Sequence, residues 1–293
     1  MFIILALLII LLVAGWYFSD QVIDIPTIPV EETYRLEVEN GKLVEDEFNA
    51  WQKEEVHIRS PFGYELYGLY LPIDNPKGTV ILTHGITFSL YGSVKYVNLF
   101  RSRGWSVLMY DHRAHGRSGG RFKTYGWAEK HDLQAVVEWA RAKGGKIGIH
   151  GESYGAATTL QALPLLENIA FVISDCAYSN LNELLAYHLD HDYRLPAFPL
   201  INIANLVSFL RAGFWFGQVA PLRALENLNT PIFFIHGEKD DFTPTQMGRD
   251  LYAAYRGPKR LYIASGVGHG DSFWSNPKMY DQEVGEFLKQ AGL

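Results

Sequence analysis

An α/β fold built on a doubly wound, mostly parallel sheet is the class this sequence predicts. Three observations carry it. Continuous apolar runs alternate with helical patterns along most of the chain. One run, Lys146 to Ile149, passes through the turn Gly151-Glu152-Ser153-Tyr154-Gly155 into an alanine-rich helix start. Two later runs end in polar loops, one holding Asp240 and Asp241 and the other His269.

The 293 residues suffice for one large domain with a full core. Formal charge is −6, and no basic run stands out, so nucleic acid is not an expected partner. A single cysteine, Cys176, excludes an intramolecular disulfide and a cysteine-rich metal site. It falls at the end of a buried strand, where a small core residue is expected.

Residues Phe2 to Phe18 carry no charge and are mostly Leu, Ile, Val and Ala. The run is near the lower length limit of a transmembrane helix and longer than a signal-peptide core. Trp16-Tyr17 at its end suits an interfacial belt. An uncleaved anchor over residues 1–18 is favoured over a cleaved signal, with the N-terminus inside and an extracytoplasmic catalytic domain. Residues 19–53 are polar and carry Pro26 and Pro29, which predicts a linker or irregular arm. Glu54 to Arg59 and Tyr64 to Leu71 alternate at period two around a Ser60-Pro61-Phe62-Gly63 turn, an antiparallel hairpin.

Beyond Gly78 the strands become continuously apolar, as in a sheet covered on both faces. They are Thr79–Thr83, Ser106–Tyr110, Lys146–Ile149, Phe171–Ser174, Pro231–Ile235 and Arg260–Ala264. Helical patterns run over Tyr91–Arg103, Trp127–Lys143, Ala156–Leu166, Thr245–Tyr255 and Met279–Gln290. Ligands of such sheets bind at the carboxyl ends of the strands. Residues 181–225 interrupt the rhythm. Their Phe209, Phe214, Trp215 and Phe216 are too many large apolar groups for a solvated connection, which predicts a helical cap insertion over the site.

The turn at Ser153 spells G-x-S-x-G. Gly151 and Gly155 lack a Cβ, so strand and helix can close on each other and lift the serine hydroxyl clear. A second match, Gly116-Arg117-Ser118-Gly119-Gly120, lacks a strand directly before it and a helix start after it. Ser118 is therefore assigned to loop structure. A serine nucleophile needs a base, and the base an orienting carboxylate, both expected at later strand ends in the order Ser, Asp, His. His269 is the only histidine downstream of Asp240 and Asp241. Only one of these adjacent aspartates can meet the imidazole. The N–H of Tyr154, after the nucleophile, is one expected oxyanion donor.

From about Glu54 to the C-terminus the chain resembles the α/β-hydrolase superfamily. The likeness is to its serine-hydrolase branch with dienelactone-hydrolase-like, monoglyceride-lipase-like and serine aminopeptidase S33-type members. It implies an α/β-hydrolase domain over 54–293. His236-Gly237-Glu238-Lys239-Asp240-Asp241-Phe242-Thr243-Pro244 is similar to the family's H-G-x-x-D-x-x-V-P loop, which selects Asp240 and puts Thr243 where valine is usual. His84-Gly85-Ile86-Thr87 is similar to its oxyanion loop, implying Ile86 as the second donor and leaving Thr87 as an alternative. Arg113, in a loop similar to the one after the next strand, is expected to be tied to local carboxylates or carbonyls. A serine at the elbow sets the chain apart from relatives that use aspartate there, and no cofactor is implied.

The function expected is a membrane-anchored serine hydrolase that cleaves a small-molecule carboxylic ester through an acyl-enzyme. A peptidase or thioesterase of the same chemistry is the alternative, followed by a non-catalytic binding protein. A metal hydrolase on His188, Asp190, His191 and Asp192 lacks H-E-x-x-H spacing and is the weakest reading.

Overall fold

The computed structural model describes residues 2–293, with the side chains of all but Ile3, Ile4, Leu7 and Leu8. Three helices come first: α1 (Phe2–Ile23), α2 (Val30–Glu39) and α3 (Glu45–Ala50). Strands β1 (Glu54–Arg59), β2 (Glu65–Leu71) and β3 (Gly78–Thr83) follow, then a 3₁₀ segment (Leu90–Tyr96) running into α4 (Val97–Arg101). Next are β4 (Ser106–Tyr110), α5 (Glu129–Arg141), β5 (Lys146–Glu152), α6 (Tyr154–Ala162) and β6 (Ile169–Asp175). The insertion contributes α7 (Leu181–Tyr193), α8 (Ala197–Ala212) and α9 (Pro221–Ala224). The chain ends with β7 (Ile232–Gly237), α10 (Thr245–Ala254), β8 (Lys259–Ala264), α11 (Ser272–Ser275) and α12 (Pro277–Gln290).

The eight strands form one sheet in the order β1-β2-β4-β3-β5-β6-β7-β8. β1 and β2 pair antiparallel, and β2 joins β4 antiparallel. Every pairing from β4 through β8 is parallel. The continuous apolar runs follow from burial on both faces. In β3, Ile81 enters one core layer while Val80 and Leu82 enter the other. In β7, Ile232 and Phe234 take the first layer, and Phe233 and Ile235 the second. β5 carries Gly148, where a Cβ would strike the Phe171 ring of the neighbouring strand.

The arm departs from the sequence expectation. Residues 19–53 hold the end of α1, all of α2 and all of α3, rather than an irregular linker. Their apolar residues are few but well placed: Leu43 and Phe48 enter the second core layer, and Tyr34 packs edge-on against Phe48 and Tyr91. α1 likewise continues past the expected boundary at residue 18 to Ile23. Its second half lies on α8. Ser19 and Ser208 share a buried hydroxyl hydrogen bond at 3.0 Å, Arg211 donates to Asp20 at 2.6 Å, and a Cβ on Gly15 would strike Ile203. Among the residues described, no single helix is long and apolar enough to cross a membrane; the apolar stretch of α1 that qualifies as a shorter helix is Ile9–Ile23.

Candidate active site

The carboxyl ends of β3, β5, β7 and β8 converge on one face, and the loops that leave them bring the chemistry together. Ser153 sits between β5 and α6 with φ 53° and ψ −114°, a region that non-glycine residues avoid. The local sequence enforces this bend. A Cβ on Gly151 would lie 2.6 Å from Thr83 Oγ1 and 2.7 Å from Ala156 Cα, and one on Gly155 would overlap the Thr83 carbonyl. Ser153 N–H donates to the Asp175 carbonyl at 2.8 Å, which locks the turn to the next strand.

Ser153 Oγ is 2.9 Å from His269 Nε2, and His269 Nδ1 is 2.8 Å from Asp240 Oδ2. Asp240 is ionised, so Nδ1 carries the donated hydrogen and Nε2 presents its lone pair to the serine hydroxyl. Burial alone would push the Asp240 carboxyl up. Hydrogen bonds from His236 and His269, with their positive charge when protonated, outweigh burial and hold it well below the usual carboxylate range. Its other oxygen accepts from the N–H groups of Phe242 at 3.0 Å and Thr243 at 2.8 Å. Asp241, by contrast, is exposed.

Two partners of Asp240 escaped the sequence reading. His236 Nε2 donates to the Thr243 carbonyl at 2.7 Å and reaches Asp240 Oδ2 at 3.2 Å. The Thr243 hydroxyl stands 3.0 Å from Asp240 Oδ2, 3.0 Å from the Cys176 carbonyl and 3.1 Å from His269 Nδ1. Thr243 was legible only as a departure from the usual valine. Its hydroxyl adds a polar contact that valine lacks.

Tyr154 opens α6, so its N–H is among those a helix leaves without an internal acceptor. The second donor was open between Ile86 and Thr87. Thr87, at φ 70°, spends its N–H on His115 Nε2 at 3.3 Å. Among the described residues no loop carbonyl takes the Ile86 N–H. Behind this loop His84 Nδ1 bonds the Gly85 carbonyl at 2.7 Å and its Nε2 accepts the His112 N–H at 3.0 Å. Burial depresses the His84 imidazole to about 3, so it stays neutral and can accept.

Ser153, His269, Gly85 and Ile86 line a pocket of about 360 Å³. Part of its wall is polar: Lys95 and Glu152 form a buried ion pair at 2.6 Å, with the Tyr96 hydroxyl also donating to Glu152. Glu37, from α2, completes this wall together with Lys42. The Glu37 carboxyl is buried, one of its oxygens has no partner among the described residues, and burial pushes it up to about 7. Nothing in the arm's composition singled out Glu37; only the packing of α2 against the 3₁₀ segment brings it here.

Ser118 Oγ donates to the Asp111 carbonyl at 2.6 Å and accepts the Tyr67 N–H at 2.9 Å, a loop role. Arg113 is corrected: its guanidinium stacks over Phe62 at 5.4 Å and Tyr64 at 5.3 Å, and its Nε is buried without a hydrogen-bond partner among the described residues. Cys176 is fully buried at the end of β6. His188 and His191 both bond Asp192, at 2.8 and 2.7 Å.

Residues 21–191 match the family described as X-Pro dipeptidyl-peptidase (S15 family). An uncharacterized protein of Bacillus subtilis (strain 168), YqkD, is 38% identical over 288 residues, spanning 97% of this chain and 94% of its own. A monoacylglycerol lipase of Mycolicibacterium smegmatis is 26% identical over 230 residues, covering 64% of this chain and 78% of its own. The solved esterase of Pyrococcus furiosus shares the fold with a TM-score of 0.68 at 24% identity, over 85% of this chain and 96% of that one.

Proposed function

We propose that this chain, which belongs to the α/β-hydrolase superfamily of serine hydrolases and within it to the family described as X-Pro dipeptidyl-peptidase (S15 family), hydrolyses small-molecule carboxylic esters. One observation carries the reading: Ser153, His269 and Asp240 lie in hydrogen-bonded series at 2.9 and 2.8 Å, with Ser153 and His269 lining an open pocket. On this reading Ser153 Oγ attacks the carbonyl carbon while its proton passes to His269 Nε2. The Tyr154 and Ile86 N–H groups hold the developing oxyanion. The carbonyl–oxygen bond to the alcohol then breaks, and His269 returns the proton to the departing alcohol. Water attacks the acyl-enzyme and gives a proton to His269, which passes it back to Ser153 as the acid leaves. Asp240 stays ionised and holds the imidazole in one tautomer.

The match to a monoacylglycerol lipase supports the ester reading. The family description favours a second one, cleavage of a peptide bond by the same residues. A panel of esters, thioesters and aminoacyl-proline amides on the purified full chain separates them. Ester turnover with kcat/KM at least about a hundredfold above the amides is expected; the reverse order overturns the ester assignment. We also place the domain at a membrane through the apolar first half of α1, with the catalytic domain extracytoplasmic. Exposed Phe2, Ile9, Ile10 and Val13 on that half support the membrane contact.

A further inference from the structure

A second cavity, of about 200 Å³, lies beside the first. One wall is α1, through Phe18, Val22 and, just past its end, Ile25; the other is the insertion, through Leu185, Ile201 and Phe216. Its lining is predominantly apolar; of its polar residues Gln21, His188 and Asp192, the last two bond each other at 2.8 Å. Ile25 and Phe242 line both this cavity and the pocket holding Ser153. The Phe242 ring stands between them, 4.8 Å from the His269 ring on one side and 4.8 Å from the His188 ring on the other. Phe242 is also partly exposed and sits on the loop that carries Asp240, so it forms a threshold between the two spaces.

The two spaces differ in chemistry. Around Ser153 the wall is Lys95, Glu152, Glu37 and Lys42, which suits a polar group. Past Phe242 the surface is mostly hydrocarbon and aromatic, with Gln21, His188 and Asp192 as its polar side chains, which suits a flexible apolar chain. We infer that the second cavity takes the acyl chain of the ester, and that α1, outside the sheet and its crossovers, forms one wall and so sets acyl length. The inference rests on the ester reading above and names its substrate class: amphiphilic esters joining a medium-length acyl chain, on the order of six to ten carbons for a cavity of this size, to a polar alcohol. The carbonyl then lies at Ser153, the chain passes Phe242, and the alcohol leaves along the polar wall.

The test uses the full chain in detergent with p-nitrophenyl acetate, octanoate and laurate. Two substitutions narrow the cavity from opposite walls, Ile201→Trp from the insertion and Gln21→Trp from the exposed flank of α1. The octanoate-to-acetate ratio of kcat/KM is expected to fall about tenfold or more in each. An unchanged ratio in both variants overturns the inference, and a fall in Ile201→Trp alone overturns the part given to α1. A readout independent of turnover uses Ser153→Ala protein and displacement of a dansylated fatty acid by decanoate. Decanoate is expected to displace it, about tenfold less well when Ile201→Trp is added. Displacement without hydrolysis of any ester by the wild type keeps the cavity and sinks the ester reading. Hydrolysis without chain-length preference or displacement does the opposite.

Discussion

Ser153, Asp240 and Thr243 make three separable predictions at the residue scale. Replacing Ser153 with Ala removes the attacking oxygen but not the pocket, so kcat is expected to fall by about a thousandfold or more with the fold intact by circular dichroism. Asp240→Asn keeps the shape but loses the charge that selects the His269 tautomer. A fall of roughly a thousand- to ten-thousandfold in kcat is expected; a loss of under tenfold would remove Asp240 from the machinery. Thr243→Val leaves Asp240 with His269, His236 and two backbone N–H donors, so the expected loss is under about tenfold. The serine and histidine were legible because chain order and turn sterics leave few places for them. The Asp240 shell was not, because His236 and Thr243 acquire meaning only when the turn after β7 folds them onto one oxygen. Ile86 was separated from Thr87 only by His115, a residue from a different loop whose ring takes one of the two N–H groups.

At the scale of elements, the strands were legible because burial on both faces writes a run of apolar residues into each. The short helices α2 and α3 were not. Their sequences are mostly polar: α2 offers only Val30, Tyr34 and Val38 at a helical spacing, and it is held by aromatic contacts such as Tyr34 against Tyr91. α2 has a measurable consequence through Glu37. Its folded value, about 7, lies above that of the unfolded chain, so the folded state binds the extra proton between about pH 4.5 and 7. Stability from this group therefore falls as pH rises through that window. Glu37→Gln is expected to match wild type in urea denaturation near pH 4.5 and exceed it above pH 7 by a few kcal/mol at most. A difference that is constant with pH would show that Glu37 titrates normally. At the elbow, Gly155→Ala puts a methyl group into the Thr83 carbonyl and is expected to cost about 1–3 kcal/mol.

Across the whole molecule, α1 joins the proposed membrane contact to the proposed acyl site. Its first half exposes apolar side chains, and its second half is part of the domain, tied to α8 through Ser19, Asp20 and Arg211. The sequence reading drew its boundary at residue 18, just before the first charge at Asp20; α1 already packs on α8 at Gly15, which meets Ile203. Removing residues 1–14 is thus expected to release the protein from the membrane fraction while leaving ester turnover in place. Continued sedimentation with membranes would assign the attachment elsewhere. The claim on which the rest depends is that Ser153 is an activated nucleophile, and labelling with a fluorophosphonate followed by intact and peptide mass measurement tests it most directly. The account predicts one adduct per chain, located on Ser153 and absent from Ser153→Ala protein; an unlabelled native chain, or equal labelling of the alanine variant, would contradict it.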